Sequence, residues 1–430
     1  MRSYARKRCK LTHKKIPELL IPANNLQILK YAVQYGADAV YIGGKQFNLR
    51  SIRGNFSIKD LKAGLEYAHE RGVKIYLTLN AVVHEDEIKD IKKYIEELKG
   101  LEFDGIIISD MGVIAIVKEM LPLIKIHIST QANITNLPAV KAAADMGARR
   151  VNLSREISFN SLKAVISGSP IEIEAFVHGA LCISYSGRCM LSKYMTGRDA
   201  NEGACAHSCR WKYYLMEEER SNCFFPVEQD KKGTYIYNSR DLCLLRELDR
   251  IVDVGVDSIK IEGRMKTENY VSLVTWVYRM ALDMIRKNKF NAKNKSYLMA
   301  LLDRASHRNF TSGFMFLNDK KELEDNDNVG YIKKYIFVGA FSGRSTLCGE
   351  PVITVRNQFS KGQILDIMRP GKYPEEIIIK DMFLENHIES ISIANPNDRV
   401  IIKGLKDMDP FSILRIKDKN IKQNSSYKNT

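Results

Sequence analysis

The most constraining feature of this 430-residue sequence is a phrase that recurs through its N-terminal part. In each copy a glycine and a small or charged pair lead into a short apolar strand that ends in polar residues, as in YGADAVYIGG, RGVKIYLTLN, FDGIIISD, MGARRVNLSRE and VGVDSIKIEGR. Amphipathic stretches with apolar residues at helical spacing, such as NNLQILKYAVQY and SIKDLKAGLEYAHE, precede the strands. This alternation predicts an α/β fold with a parallel sheet.

Eight such strands can be counted: PELLIP, AVYIGG, KIYLTLN, GIIISD, KIHISTQ, RVNLSRE, IEIEAFVHG and SIKIEGRM. Eight parallel strands with intervening helices predict a (β/α)8 TIM-like barrel. The alternative is an open doubly wound sheet, but no G-x-G-x-x-G motif follows any of the strands. The barrel is therefore the favoured fold.

The pattern changes at about residue 331 to short alternating strands, YIFVGAFSG, PVITVRN, ILDIMRPG, RVIIKG and SILRIK. They predict a small antiparallel β-barrel or sandwich, which either shapes a substrate or RNA cleft or only packs against the rest of the chain. We therefore expect a basic disordered tail (1–15), a TIM-like barrel (16–330) with a cysteine-rich segment (180–245), a small β domain (331–418) and a second disordered tail (419–430).

Polar residues end the predicted strands. Catalytic groups of such barrels lie at the C-terminal ends of the strands, so these residues are the candidates for an active site. They are Asn80, Asp110, Gln131, Arg155, Glu156, Glu174, His178, Glu262 and Arg264.

Cysteines crowd into one part of the chain, directly after the seventh strand. Of eight in total, five are Cys182, Cys189, Cys205, Cys209 and Cys243. No segment has the length and apolarity of a signal peptide or a membrane span, so we expect a cytoplasmic protein without a membrane partner, whose thiols stay reduced. The loose spacing fits an iron-sulfur cluster better than a zinc knuckle, and the alternative is a set of small buried side chains.

The net charge of +15 indicates a polyanionic partner, and in a cytoplasm nucleic acid is the first candidate. The abundance of lysine throughout the chain allows a second explanation, a compositional bias of the genome. Charge alone therefore favours RNA contact without establishing it.

The segment EAFVHGALCISYSGRCMLS resembles the signature of the peptidase U32 family, also called collagenase-like peptidases. The resemblance extends to PELLIPANNLQILKYAVQYGADAVYIGG, GACAHSCRWKY, NSRDLCLL and KIEGRMKTENY, and so covers nearly the whole chain. The sequence departs from the family where relatives usually carry a glycine, at Asn24, a residue type that tolerates a left-handed turn.

The resemblance implies a four-iron four-sulfur (4Fe-4S) protein of oxygen-independent hydroxylation. Relatives of this kind act on a tRNA wobble uridine, on an rRNA cytidine or, as a paired heteromer, on the ubiquinone ring, and the RNA branches depend on prephenate or its pathway. Chain length and the β domain are more similar to the tRNA branch. The implied partners are tRNA (or rRNA), a small organic acid such as prephenate, and a second copy or a paired family member.

The family pattern implies Cys182, Cys189, Cys205 and Cys243 as cluster ligands, with Cys209 as the substitute for Cys205 or a free thiol. Cys9, Cys223 and Cys348 lie outside the matching segments and are expected to be structural or incidental.

Four further residues are the expected catalytic groups. His178 is an acid or base near neutral pH, or a histidine that only bonds a neighbouring group. Glu174 and Glu262 pair with Arg155 or Arg264, or only position strands. Arg155 and Arg264 are our hypothesis for a clamp on a dicarboxylate, with Arg50 and Arg53 in reserve.

A peptidase is the alternative function, and rRNA cytidine hydroxylation or an RNA-binding scaffold is a further alternative. No G-x-S-x-G motif occurs, and His84-Glu85 lacks the second histidine of H-E-x-x-H. A Cys–His peptidase that uses His178 or His207 would leave several of the clustered thiols unexplained.

Overall fold

The computed structural model describes residues 15–49, 55–182, 184–210, 228–230, 233–235, 240–317, 331–347, 349–385, 389–405 and 408–418. The sequence predictions made for residues 1–14 and 419–430, and for Cys9, Arg50, Arg53, Cys223 and Cys348, lie outside these described residues.

Strands and helices alternate through the N-terminal domain in the predicted order. The strands are β1 (Glu18–Pro22), β2 (Ala39–Gly43), β3 (Lys74–Leu79), β4 (Gly105–Ile108), β5 (Ile126–Ile128), β6 (Arg150–Asn152), β7 (Glu172–Ala180), β8 (Glu228–Asp230), β9 (Gly233–Tyr235), β10 (Asp241–Cys243), β11 (Ser258–Ile261) and β12 (Phe310–Thr311). The helices are α1 (Leu26–Gln34), α2 (Ile58–His69), α3 (Ile88–Leu98), α4 (Met111–Met120), α5 (Leu137–Asp145), α6 (Phe159–Gly168), α7 (Leu191–Thr196), α8 (Leu248–Val254), α9 (Glu268–Arg286) and α10 (Ala292–Leu302). Among the helices described, none has both the length and the apolar character needed to cross a bilayer.

Eight of these strands form a closed parallel ring. Strands β1 to β7 pair in chain order, and β11 pairs in parallel with both β7 and β1, which closes the barrel. Strand β10 extends the wall on the outside, antiparallel to β7, and β12 follows it. The (β/α)8 prediction is confirmed, and all eight predicted strand segments are the barrel strands.

Helix starts are set by polar side chains that accept a backbone N–H of the first turn. Asn25, Ser57, Asp110, Asn136 and Ser158 each cap a barrel helix in this way. Each cap contributes about 1 kcal/mol to helix stability. Asp110, one of the strand-end candidates, is therefore used as a helix cap.

The main apolar core fills the layer between the barrel strands and the helices. The interior of the barrel, by contrast, also contains buried charges: Arg150 pairs with Glu18 at 2.6 Å and with Glu174 at 3.2 Å, and Lys260 pairs with Glu174 at 3.1 Å. These charges satisfy one another, as buried charges must.

The C-terminal domain is antiparallel, as predicted. Its strands are β13 (Tyr335–Ser345), β14 (Pro351–Val355), β15 (Phe359–Ser360), β16 (Ile364–Met368), β17 (Glu375–Ile378), β18 (Met382–Leu384), β19 (Ile393–Ala394), β20 (Arg399–Ile402) and β21 (Ile413–Lys417). Seven of them form one sheet in the order β17-β16-β21-β13-β14-β20-β18, with an apolar core of its own.

The two domains contact each other through the helices on one side of the barrel. The Tyr35 hydroxyl at the end of α1 donates to the carbonyl oxygens of Met368 and Phe411 at 3.0 Å. Arg304, just after α10, pairs with buried Asp366 at 2.9 Å. These contacts place the first strand of the C-terminal domain, β13, beside the barrel mouth.

Candidate active site at the barrel mouth

Two adjoining cavities lie at the C-terminal ends of the barrel strands. The inner chamber, of about 140 Å³, is the barrel mouth itself and is lined by polar side chains from β3, β6 and β11 and from the loops that follow strands. The outer cavity, of about 950 Å³, lies between the cysteine segment and the C-terminal domain. Cys182, Cys189 and Cys205 line both cavities and so stand at the boundary between them.

The cysteine segment, residues 181–210, is fastened onto the barrel loops. The backbone N–H of Ser186 donates to Glu156 at 2.9 Å, and Val82 donates to the carbonyl oxygen of Asn201 at 3.1 Å. Gly187 has a φ of +74°, and a Cβ at this position would lie 2.0 Å from the carbonyl oxygen of Gln131. Only glycine fits this close approach, so the segment is seated directly on the loop after β5.

Two of the thiols interact directly. The Cys182 thiol donates a hydrogen bond to Cys189, which lowers the pKa of Cys189 to about 5 and, together with burial, raises the pKa of Cys182. A second hydrogen bond within the segment, from the Asn201 amide to the carbonyl oxygen of Cys189 at 2.9 Å, holds the chain around this pair. One sulfur of the pair therefore carries thiolate character, the form that binds metals.

The structure groups Cys209, not Cys243, with the other three cysteines. Cys209 lines the outer cavity together with Cys182, Cys189 and Cys205. Cys243 is buried on the outer side of the barrel wall, where its sulfur lies 3.9 Å from that of Met299. This differs from the ligand set that the family pattern implies, because β10 turns its last residue away from the mouth.

The donor set fits an iron-sulfur cluster in chemistry. All five described cysteines are free thiols, and four of them line one cavity from two stretches of the segment. Among the described residues, no three His, Cys, Asp or Glu side chains are arranged so that they could hold a metal ion. The four thiols thus form a rim around the outer cavity.

His178 does not face the mouth. Alternation along β7 would put it on the same side as Glu174 and Phe176, but two adjacent residues of β11 pair with Phe176 and His178, so Val177 is bulged out of the register. A bulge reverses the facing of the residues beyond it. His178 therefore packs in the helix layer beside Tyr278, and burial lowers its pKa to about 3, so it is neutral at physiological pH.

Glu174 lies below the inner chamber and does not line it. It is 2 % exposed and bonds Arg150 and Lys260, rather than Arg155 or Arg264 as the sequence suggested. Burial lowers the pKa of Lys260, and Glu174 opposes that effect. Glu174 thus connects barrel strands through its ion pairs with Arg150 and Lys260.

Both arginines of the predicted clamp line the inner chamber. Arg155 donates to the carbonyl oxygen of Ala180 at 2.7 Å and pairs with Glu262 at 3.5 Å, the pairing expected from the sequence. Arg264 donates to Asn48 at 3.2 Å and to Thr78 at 3.0 Å.

Sequence reasoning missed Lys260 and Asn152, which line the same chamber. Asn152 is 2 % exposed, and both polar atoms of its amide have no hydrogen-bond partner. Both residues alternate with apolar ones in RVNLSRE and SIKIEGRM, so the strand period was the available signal. Of the other strand-end candidates, Asn80 and Gln131 line the chamber and Glu156 fastens the cysteine segment.

Comparison with known proteins identifies the family of this chain. The sequence profile of "Peptidase family U32" matches residues 24–325, and that of the "Peptidase family U32 C-terminal domain" matches residues 333–415. The chain is 34 % identical to tRNA hydroxylation protein P1 of Bacillus subtilis over 93 % of this chain and 95 % of that protein. It is 35 % identical to tRNA hydroxylation protein P of Escherichia coli, over 82 % of this chain and 86 % of that protein.

A third relative differs in length. The chain is 34 % identical to the 23S rRNA 5-hydroxycytidine C2501 synthase of Escherichia coli, over 70 % of this chain but only 45 % of that protein. The two profiles together span both structural domains. The chain belongs to peptidase family U32.

Proposed function

We propose that this protein is a tRNA-hydroxylating enzyme that forms 5-hydroxyuridine at the wobble position. The carrying observation is the rim of four thiols that line the larger outer cavity, three of which also line the cationic inner chamber. A thiol rim shared by two adjoining cavities suits a reaction that transfers a hydroxyl group from a small donor to a large acceptor. The net charge of +15 supports a nucleic acid as that acceptor.

The choice of tRNA over rRNA rests on how much of each named relative the match covers. The B. subtilis tRNA hydroxylation protein matches this chain almost end to end, whereas the rRNA synthase has more than half of its length outside the match. The chain also includes the C-terminal domain that completes the outer cavity. A tRNA substrate is in turn consistent with a cytoplasmic enzyme.

The thiols Cys182, Cys189, Cys205 and Cys209 would hold a 4Fe-4S cluster, with Cys243 as the alternative fourth ligand that the family pattern implies. When bound, such a cluster supplies one-electron redox chemistry. The chain's own part is to fix the first thiol-bearing stretch over the barrel through Gly187 and Glu156, and to hold the chain that leads to the second through the hydrogen bond from Val82 to Asn201.

The inner chamber would take a carboxylate end of the hydroxyl donor, a small organic acid such as prephenate. Arg155, Lys260 and Arg264 line it, against the single carboxylate of Glu262, so its charge favours an anion. The unpartnered amide of Asn152 offers both a donor and an acceptor to the same ligand. Replacing the C5–H of uracil by C5–OH is a two-electron oxidation, so a donor R–OH would leave as R–H.

Nucleoside mass spectrometry of tRNA and rRNA from a strain that lacks the gene tests this proposal. Loss of hydroxylated uridine from tRNA, and its return on complementation, is the expected result. Loss of hydroxycytidine from rRNA would reassign the substrate, and unchanged nucleosides with cleavage of a peptide by the purified protein would support the peptidase alternative.

A further inference from the structure

We propose that the outer cavity is the pocket for the single target nucleotide of the RNA, and that the C-terminal domain supplies one wall of it for stacking the base. This deepens the proposed function and rests on it. The cavity is enclosed by the cysteine segment, the start of α9 and the residues from Tyr331 through β13.

The two cavities differ in volume and therefore accommodate ligands of different size. The inner chamber, at about 140 Å³, has the size of a site that holds benzene, about 150 Å³, and is too small for a nucleotide. The outer cavity, at about 950 Å³, lies at the upper end of the range for sites that bury a whole organic ligand, about 300–1,000 Å³. A nucleotide of a single-stranded loop, already outside a helix, can enter it without the cost of unpairing.

The wall from the C-terminal domain combines aromatic rings with cations. Tyr331 is 43 % exposed, and the ammonium group of Lys266 lies 4.3 Å from the centre of its ring. Tyr335, Phe337 and exposed Lys333 continue this wall. Aromatic rings interleaved with lysines are the means by which proteins bind unpaired nucleotides, since the rings stack on bases and the lysines meet phosphates.

Two buried polar atoms on the barrel side of the cavity have no hydrogen-bond partner. The Oδ1 atom of Asn269, near the start of α9, is buried without a hydrogen bond, and so is the hydroxyl of Ser208, one residue before Cys209. Asn269 is 7 % exposed and Ser208 is 1 % exposed. Buried polar atoms of this kind cost free energy unless a ligand satisfies them. The polar edge of a base stacked on the opposite wall would do so.

This placement puts the base beside the thiol rim. Ser208 and Cys209 line the same cavity as Cys182, Cys189 and Cys205, and these last three also border the inner chamber. A base in the outer cavity and a small acid in the inner chamber would therefore meet at the sulfurs. The C-terminal domain is then part of the substrate site rather than passive packing.

The test measures binding of the purified full chain to two anticodon stem-loop RNAs, one with uridine and one with an abasic site at the wobble position. We expect the wild type to bind the uridine RNA roughly 5- to 150-fold more tightly, the range for one base-aromatic stack. The Tyr331→Ala variant should lose this preference while it binds the abasic RNA as the wild type does. Tyr331→Phe should keep the preference, because the ring remains.

The matched control is Tyr373→Ala, an exposed tyrosine of the same domain that is not among the residues lining the cavity. It should behave as the wild type. Equal binding of the two RNAs by the wild type, an equal loss for both RNAs in Tyr331→Ala, or no RNA binding at all would overturn the inference. If the inference fails while deletion of the gene still abolishes hydroxylated uridine, only the pocket is wrong; unchanged nucleosides would refute the proposed function itself.

Discussion

Replacement of Glu174 by alanine should destabilise the barrel and thereby show that this carboxylate braces strands. The side chain is 2 % exposed and bonds Lys260 at 3.1 Å and Arg150 at 3.2 Å. In the variant Arg150 keeps two carboxylates, Glu18 at 2.6 Å and Glu172 at 2.9 Å. Lys260 loses its ion-pair partner while its side chain stays buried.

The expected loss of stability follows from this difference: Lys260 is left without its ion-pair partner, whereas Arg150 keeps two. Removal of one partner of a buried ion pair costs about 3–5 kcal/mol, because the other charge is left without compensation. For a domain of this size each kcal/mol lowers the melting temperature by about 2 °C, so we expect a decrease of roughly 6–10 °C. Thermal unfolding followed by circular dichroism measures it.

Two variants sharpen the test. Glu96→Ala removes an exposed carboxylate paired with Lys99 and should cost less than about 1 kcal/mol. The double variant Glu174→Met with Lys260→Met removes both charges and should recover most of the lost stability. A Glu174→Ala protein with wild-type stability and no hydroxylated uridine in tRNA would refute the reasoning, since Glu174 would then act in catalysis.

Three further predictions concern the cysteine segment and the barrel wall. Cys209→Ser should lose most of the roughly four irons per chain of anaerobically purified protein, whereas Cys243→Ser should retain them; the reverse would restore Cys243 to the ligand set. Gly187→Ala should likewise lose iron with an unchanged circular dichroism spectrum, because the added Cβ would clash with the carbonyl oxygen of Gln131. The control Gly197→Ala, also at positive φ but with nothing within 4 Å, should keep its iron. Equal iron in the two variants would refute the claim that close contact at Gly187 holds the cysteine segment on the barrel. Because the pKa of folded His178 is about 3, below its unfolded value of about 6.5, the unfolded state binds an extra proton between these pH values. The free energy of unfolding therefore decreases as the pH is lowered through this range, by up to about 1.4 kcal/mol per pH unit. Urea unfolding at about pH 7 and about pH 5.5 should show a smaller loss for His178→Gln than for the wild type, and an equal loss would mean that His178 is not buried as a neutral ring.

The barrel could be predicted from the sequence because its signal is periodic and repeated. Each strand carries an apolar run bounded by a glycine and a polar end, and each helix carries its own cap, so local and global patterns agree. The same logic located Arg155 and Arg264 at the mouth, since both follow the ends of strands.

The facing of His178 could not be predicted in the same way. It depends on one bulged residue, Val177, which only the pairing with β11 reveals. The position of Cys243 depends similarly on β10, an added strand that runs antiparallel to β7. Register and added strands are properties of tertiary pairing, so a single sequence leaves them open.

The outer cavity was also beyond sequence reasoning. Its walls come from the cysteine segment, α9 and the C-terminal domain, and Ser208 and Tyr331 lie far apart in the chain. The alternating pattern after residue 331 predicted the strands of the C-terminal domain but not which edge meets the barrel. That contact is made by side chains such as Tyr35 and Arg304 on the barrel side.

The most direct test of the central claim, that the thiol rim over the barrel mouth is the centre of tRNA hydroxylation, is nucleoside mass spectrometry of tRNA from a deletion strain complemented with the wild type or with Cys182→Ser. We predict that the wild type restores 5-hydroxyuridine and that Cys182→Ser, produced at the same level, does not. Restoration by both proteins, or 5-hydroxyuridine at its normal level in the deletion strain, would contradict the claim.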